Sequence, residues 1–299
     1  LIAYQNIGES RHFRKFQELS KTNQLESLNI FSINSDFIKL HSNRSSLAYG
    51  FEYVYNNVNS KAYVKHYTLG SSNELIEDGV DYDVTTRYPS DEGHYATADA
   101  YYEYRKDLSQ KSNMNVGMRY TNTQLKAKWN DQAIINANIY DIHFQNSSLT
   151  SSVGYVLRSD KNWQFNANFS SGFRSPNIDD IGKIREQKGV LSVPNAELKP
   201  EYAYNTELGF SKSFNRRNVL SLNAYYTHIS KHITRDYFEI INDTSTDDDS
   251  TIIFNSEEVI TMANVNKGSA YIYGGTLYLK AHIYSNQLFA GNLNYNNEA

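Results

Sequence analysis

Five charged side chains and one amide gather near the middle of the chain: Arg174, Asn177, Asp179, Asp180, Lys183 and, farther on, Glu207. Carboxylates placed a few residues from an Arg and a Lys suit ion pairing, either with one another to hold a loop or with a polar ligand. They do not form a catalytic arrangement, and the chain has no nucleophile elbow, phosphate loop or H-E-x-x-H segment. His228 and His232 are four residues apart. On an extended strand that is ~13 Å, too far to share a metal, so they read as unrelated surface or lumen histidines. Asp243, Asp247, Asp248 and Asp249 lack the glycine and closing glutamate of a calcium loop and read as a solvated acidic run. Neither an enzyme, a metal site nor a cofactor is expected.

The elements that must position this cluster alternate in polarity. Trp163, Phe165, Ala167 and Phe169 interleave with Gln164, Asn166, Asn168 and Ser170, and beyond the cluster Tyr202, Tyr204, Leu208 and Phe210 interleave with Ala203, Asn205, Glu207 and Ser211. Successive side chains of a strand point to opposite faces, so each stretch has one apolar and one polar face. The same pattern recurs at Leu47 to Tyr55, at Met114 to Tyr120, at Leu149 to Leu157, at Leu220 to Tyr226 and at Tyr271 to Leu279. Short turns near residues 41–44, 108–112, 159–162, 215–218 and 284–287 alternate with longer polar connections at 67–93, 129–145, 175–200 and 238–267, and a further polar connection covers 17–24. In an up-and-down barrel this places all tight turns on one rim and all long loops on the other, the asymmetry of bacterial outer-membrane barrels.

Composition agrees. The 299 residues hold no apolar run near the ~20 that a membrane helix needs. The mean hydropathy of −0.63 does not exclude a barrel, whose strands are half polar. There are 25 Tyr and 14 Phe, suited to strands and to interfacial girdles. The absence of cysteine excludes disulfides and thiolate metal sites, and a net charge of −4 gives no footprint for nucleic acid. The polar faces carry Glu52, Asp99, Glu103, Arg105, Arg119, Arg158, Glu207 and Lys280. So many charges are costly in a dry core and ordinary in a wet lumen, which argues against a soluble sandwich or propeller. The expected fold is all-β: a partial antiparallel up-and-down transmembrane β-barrel in contact with lipid.

Gly172-Phe173-Arg174-Ser175-Pro176-Asn177, then Asp179 to Lys183, then Pro194-Asn195-Ala196-Glu197-Leu198-Lys199-Pro200-Glu201 resemble the barrel boxes of TonB-dependent outer-membrane receptors, especially those of the Bacteroidota type. Ala263 to Gly268 with Tyr271-Ile272-Tyr273-Gly274-Gly275 resembles a further segment of that family. The resemblance extends over most of the chain. It implies a 22-stranded barrel closed by an N-terminal plug. It also implies a cell outer membrane location in a Gram-negative bacterium and active uptake driven by an inner-membrane energy-coupling complex. On that footing residues 1–299 are part of the barrel domain, truncated at both ends, with about 11 of the 22 strands and no plug domain. The implied partners are outer-membrane lipid, the coupling complex through the plug region, and a small ligand such as an iron–siderophore complex, haem or another nutrient.

The motif residues are Phe173, Arg174, Pro176, Asn177, Pro194, Asn195, Leu198, Pro200 and Glu201. Boxes shared by receptors of different ligands are architectural first, so Arg174, Asp179 and Asp180 are expected to anchor the loop rather than read the ligand. Arg174 and Glu207 are expected near the outer end of the lumen, where paired charges would hold the loop. Pro176 and Pro200 each fix φ and interrupt pairing, bracketing the excursion. Haem-transporting members carry a histidine between the boxes, and residues 177–193 contain none. A passive porin-like channel and a soluble extracellular β-rich binding or adhesion protein are the two rival readings.

Overall fold

The computed structural model describes residues 1–14, 18–42, 44–129, 141–181, 183–214, 217–240, 251–254, 257–284 and 287–298. The acidic run at Asp243, Asp247, Asp248 and Asp249 lies outside them, as do Asn43, Asn215, Arg216, Ser285 and Asn286 of the expected turns.

Each alternating stretch is a strand. Among the described residues, eleven long strands build the wall: β1 (Ile2–Phe13), β2 (Ser20–Ser42), β3 (Ser45–Leu69), β5 (Glu92–Asp107), β6 (Ser112–Lys128), β7 (Asp141–Arg158), β8 (Trp163–Arg174), β11 (Glu201–Phe214), β12 (Asn218–Tyr237), β14 (Glu257–Tyr284) and β15 (Gln287–Glu298). Between them lie β4 (Leu75–Asp83), β9 (Arg185–Gln187), β10 (Val190–Ser192), β13 (Thr251–Phe254) and the single-turn helix α1 (Ile178–Ile181). Wall strands that follow one another in sequence are hydrogen-bonded neighbours, in the order β1-β2-β3-β5-β6-β7-β8-β11-β12-β14, with β15 on β14. These pairings are antiparallel throughout.

Register carries one chemistry across each face. Tyr49 stands opposite Tyr102 and Tyr102 opposite Met118, Val153 links Val116 to Phe169, and Phe210, Leu222, Leu277 and Leu293 form a continuous row. This face is not covered: Leu149 and Leu208 are 59% exposed and Leu222 is 50% exposed. An apolar face of this extent, with no second layer over it among the described residues, is the lipid-facing surface of a barrel wall. On the other face Glu52 stands opposite Asp99 and Asp99 opposite Thr121. Arg119 donates to Asp99 Oδ1 at 3.0 Å and to Glu52 Oε2 at 2.7 Å, with its guanidinium 5.6 Å from the Tyr101 ring. Gly274 leaves room for Tyr225 on this face, since a Cβ there would come within 2.7 Å of Tyr225 Oη.

The long connections differ from expectation in a consistent way. β2, β3 and β14 run to 23, 25 and 28 residues, far beyond the about 9–11 that cross a bilayer. Much of what reads as polar connection is strand: Ser20 to Gln24 lies in β2, Leu75 to Asp83 forms β4, and Glu257 to Lys267 opens β14. Above the bilayer both faces of a hairpin are wet, so ladder hydrogen bonds continue without an apolar alternation to reveal them. The stretch between β8 and β11 also differs, because it is not simply a polar loop.

Candidate functional site

Buried apolar side chains collect at the long-loop end. Leu125 and Ala127 of β6, Ile142 of β7 and Ile233 of β12 line the lumen side there, and Ala263 of β14 belongs to the same cluster. Ile178, Ile181, Ile184, Leu191, Val193 and Leu198, from the connection between β8 and β11, pack on them. Ile181 and Leu191 are 0% exposed and Leu198 is 1% exposed. Each such side chain contributes about 1.5–3 kcal/mol on burial, so residues 175–181 and 183–200 fold into the mouth as a cap with a small core of its own.

Local chemistry shapes the cap. Pro176 is buried and ends β8. Asn177 then caps α1, accepting the Asp180 amide at 3.0 Å on Oδ1 while its own amide donates to Asp180 Oδ2 at 3.2 Å. This reciprocal pair is a capping box with an aspartate in the acidic position. Lys188 and Gly189, at φ of 55° and 76°, turn β9 back into β10. β10 then joins the wall, pairing Val190, Leu191 and Ser192 in parallel with Ile260, Thr261 and Met262 of β14.

The charged residues of the motif serve this closure. Arg174 Nη2 donates to Asp180 Oδ1 at 2.6 Å, and its Nη1 lies 4.0 Å from Glu201 Oε1. Asp179 Oδ1 accepts Tyr88 Oη at 2.7 Å and Lys183 Nζ at 3.0 Å. Burial pushes the Asp179 carboxyl up, but those two donors outweigh it and hold the group below its ordinary value. Burial, reinforced by Asp179, pushes the Tyr88 hydroxyl well up. Glu201 accepts the Ile233 amide at 2.8 Å and lies 2.9 Å from His232 Nδ1. His228 is elsewhere, stacked on Tyr271 with centroids 5.0 Å apart.

Glu207 does not join Arg174. It follows Glu201 by six residues along β11, about 20 Å down the strand, and its partner is Asn223 in the lumen wall. Glu201, where β11 begins, occupies the outer position instead.

Three asparagines complete the closure. Asn266 Oδ1 accepts the Lys199 amide at 2.7 Å, and its Nδ2 lies 2.8 Å from the carbonyls of Lys199 and Lys231. Asn264 Nδ2 donates to the Asp180 carbonyl at 3.1 Å, while Asn195 Nδ2 donates to the Asn264 carbonyl at 2.8 Å. The Asn266 amide thus stands in for a missing strand partner of Lys199, and the segment Ala263 to Gly268 is the fastener of the segment Pro194 to Glu201. Replacing Asn266 by Ala leaves the Lys199 amide and carbonyl without these partners, a loss of ~1–3 kcal/mol. Amide exchange over residues 195–200 of the full-length protein is expected to rise by about 10- to 100-fold. Unchanged protection there would contradict the fastener role.

An uncovered apolar outer face, a charged lumen face and a mouth closed by an inward-folded connection define a wall segment of an outer-membrane-type β-barrel. The family described as TonB dependent receptor-like, beta-barrel matches residues 3–299, and the chain belongs to it. Among solved structures, the copper transporter OprC is similar at 12% identity and a TM-score of 0.65, covering 99% of this chain and 42% of its own. The Serratia marcescens hemophore receptor HasR, in complex with its hemophore HasA and heme, is similar at 12% identity and a TM-score of 0.63, covering 100% and 48%. The FrpB iron transporter from Neisseria meningitidis follows at 13% identity and a TM-score of 0.57, covering 93% and 40%. The chain therefore spans less than half the length of these proteins, and the likeness is one of fold. No curated protein matches it in sequence.

Proposed function

We propose that the full-length protein carrying this chain sits in the outer membrane of a Gram-negative bacterium and imports a scarce ligand with energy from an inner-membrane coupling complex. Family membership over residues 3–299 carries this reading. The family is one of transport receptors, and catalysis is not assigned. Neighbours described as a copper transporter, a heme-binding hemophore receptor and an iron transporter favour a metal-bearing cargo, an iron–siderophore complex, haem or a related nutrient. In this reading Arg174, Asn177, Asp179, Asp180 and Lys183 keep the cap closed, and the ligand meets the cap from outside.

Cells expressing the full-length gene, compared with a deletion strain, test the proposal through their iron and copper content by mass spectrometry in metal-poor medium. Accumulation is expected to depend on the gene and to fall at least about tenfold when a protonophore dissipates the proton gradient. Gene-dependent accumulation that ignores the protonophore would indicate a passive channel. Recovery of the protein in the soluble fraction, without a change in gel migration on boiling, would favour the soluble binding protein.

A further inference from the structure

Basic side chains collect at the tight-turn end of the wall. Lys39, Lys106 and Lys212 each lie within a few residues of a tight turn. All three are on the outward face: Lys39 stands opposite Leu47, Lys106 opposite Met114, and Lys212 opposite Trp163 and Leu220. The neighbouring carboxylates Asp36, Glu103 and Asp107 fall on the other parity, toward the lumen. None of the three lysines is ion-paired among the described residues. The turns themselves add Arg44, Lys111, Lys161 and Arg217, with one acid among the described residues, Asp160, which Lys111 holds. Toward the long-loop end, by contrast, outward lysines have carboxylates beside them, as Lys65 has Glu77 and Lys126 has Glu92.

The lysines mark the lower edge of the apolar face. Lys39 and Lys106 are exposed, two residues below Phe37 and Tyr104 on the same side of their strands. Phe37 stacks on Tyr49 with centroids 5.3 Å apart. The Lys212 ammonium lies 4.0 Å from the centre of the Trp163 ring and 5.7 Å from that of Phe214, and it donates to the Lys161 carbonyl at 2.7 Å. Its stem thus covers aromatic surface while its head points down to the turn. An ammonium has three N–H donors, and the Lys161 carbonyl uses one of them.

We propose that this rim is a seat for anionic phospholipid in the turn-side leaflet. Phosphate headgroups accept from Lys39, Lys106 and Lys212 and meet the basic turns, while the acyl chains lie on Trp163, Phe210 and the apolar face above. Ammonium groups at the edge of the hydrocarbon stand in the headgroup layer. With a single sign of charge on the outward rim, they favour a headgroup that carries net negative charge. A zwitterionic headgroup would bring its own cation into the same layer. The proposal needs the wall to lie in a bilayer and is independent of what the protein transports.

The test uses the full-length protein purified from outer membranes and reconstituted in vesicles of equal parts phosphatidylglycerol and phosphatidylcholine with matched chains. Bromine on the acyl chains of one lipid or the other quenches nearby tryptophan. Quenching is read on the part of the fluorescence that Trp163→Phe removes, so only the rim is observed. Phosphatidylglycerol is expected to associate there at least about threefold more strongly than phosphatidylcholine, and Lys212→Gln is expected to bring the ratio close to one. Arg158→Gln removes the same charge from the lumen face nearby, where Arg158 donates to Gln164 at 3.2 Å, and should leave the ratio unchanged. Leu47→Trp reads the same preference beside Lys39, and Lys39→Gln should lower it there. Equal quenching by the two lipids, a preference that survives Lys212→Gln, one that Arg158→Gln abolishes, or none at Leu47→Trp would overturn the seat. A heat-dependent shift in gel migration reports that each variant is folded. The measurement is at equilibrium and needs no energy coupling, so failure of the transport reading would leave its outcome unaffected.

Discussion

Leu222→Arg is expected to destabilise the assembled wall by about 2–4 kcal/mol, whereas Asn223→Arg is expected to be tolerated. Leu222 lies in the exposed apolar row between Phe210 and Leu277, where an arginine would have to enter hydrocarbon or distort the bilayer around it. Asn223 points to the opposite face and donates to Glu207, so an arginine there would meet both water and a carboxylate. The measurement is the fraction of full-length protein in outer membranes that shows heat-modifiable migration. It should fall sharply for Leu222→Arg and stay near wild type for Asn223→Arg. Equal losses, or the reverse order, would mean that β12 is displaced by one residue, because a single-residue slip exchanges the two faces.

Leu191→Asp is expected to open the cap and leave the wall standing. Leu191 is 0% exposed, and truncating such a residue to Ala alone costs about 2–5 kcal/mol. A carboxylate in that apolar site adds a desolvation cost. The backbone attachment is short, since β10 contributes three residues to its pairing with β14. Proteolysis within residues 183–200 should accelerate strongly while heat-modifiable migration persists. Leu191→Met conserves volume and should stay within about 1.5 kcal/mol of wild type. Loss of the barrel together with the cap would show that the cap is needed for assembly.

The wall was legible in the sequence because its code is local. Met114, Val116, Met118 and Tyr120 fall on one face by period alone, and antiparallel pairing with β5 and β7 extends that face across the sheet. Short turns alternating with long connections are equally local, and they set the up-and-down order. The same strand also held an unread sign of the mouth. Leu125 and Ala127 are apolar on the opposite parity, as Ile142 is relative to Leu149 and Ile233 relative to Leu222, so the alternation changes phase where the wall meets the cap.

What those inward apolar side chains touch was decided only by tertiary structure. Ile181, Leu191 and Leu198 sit in a stretch whose charges and prolines mask its apolar content, and they are buried because distant strands bring a matching surface to them. The bonds that hold the cap join Asn195 to Asn264, Lys199 to Asn266 and Asp180 to Asn264, separations of 69, 67 and 84 residues. A period of two determines which way a side chain faces. It carries no information about which segment will fold over that face, because that depends on where the sheet's curvature carries β6, β7, β12 and β14, and on side-chain amides that pair backbone the ladder does not reach.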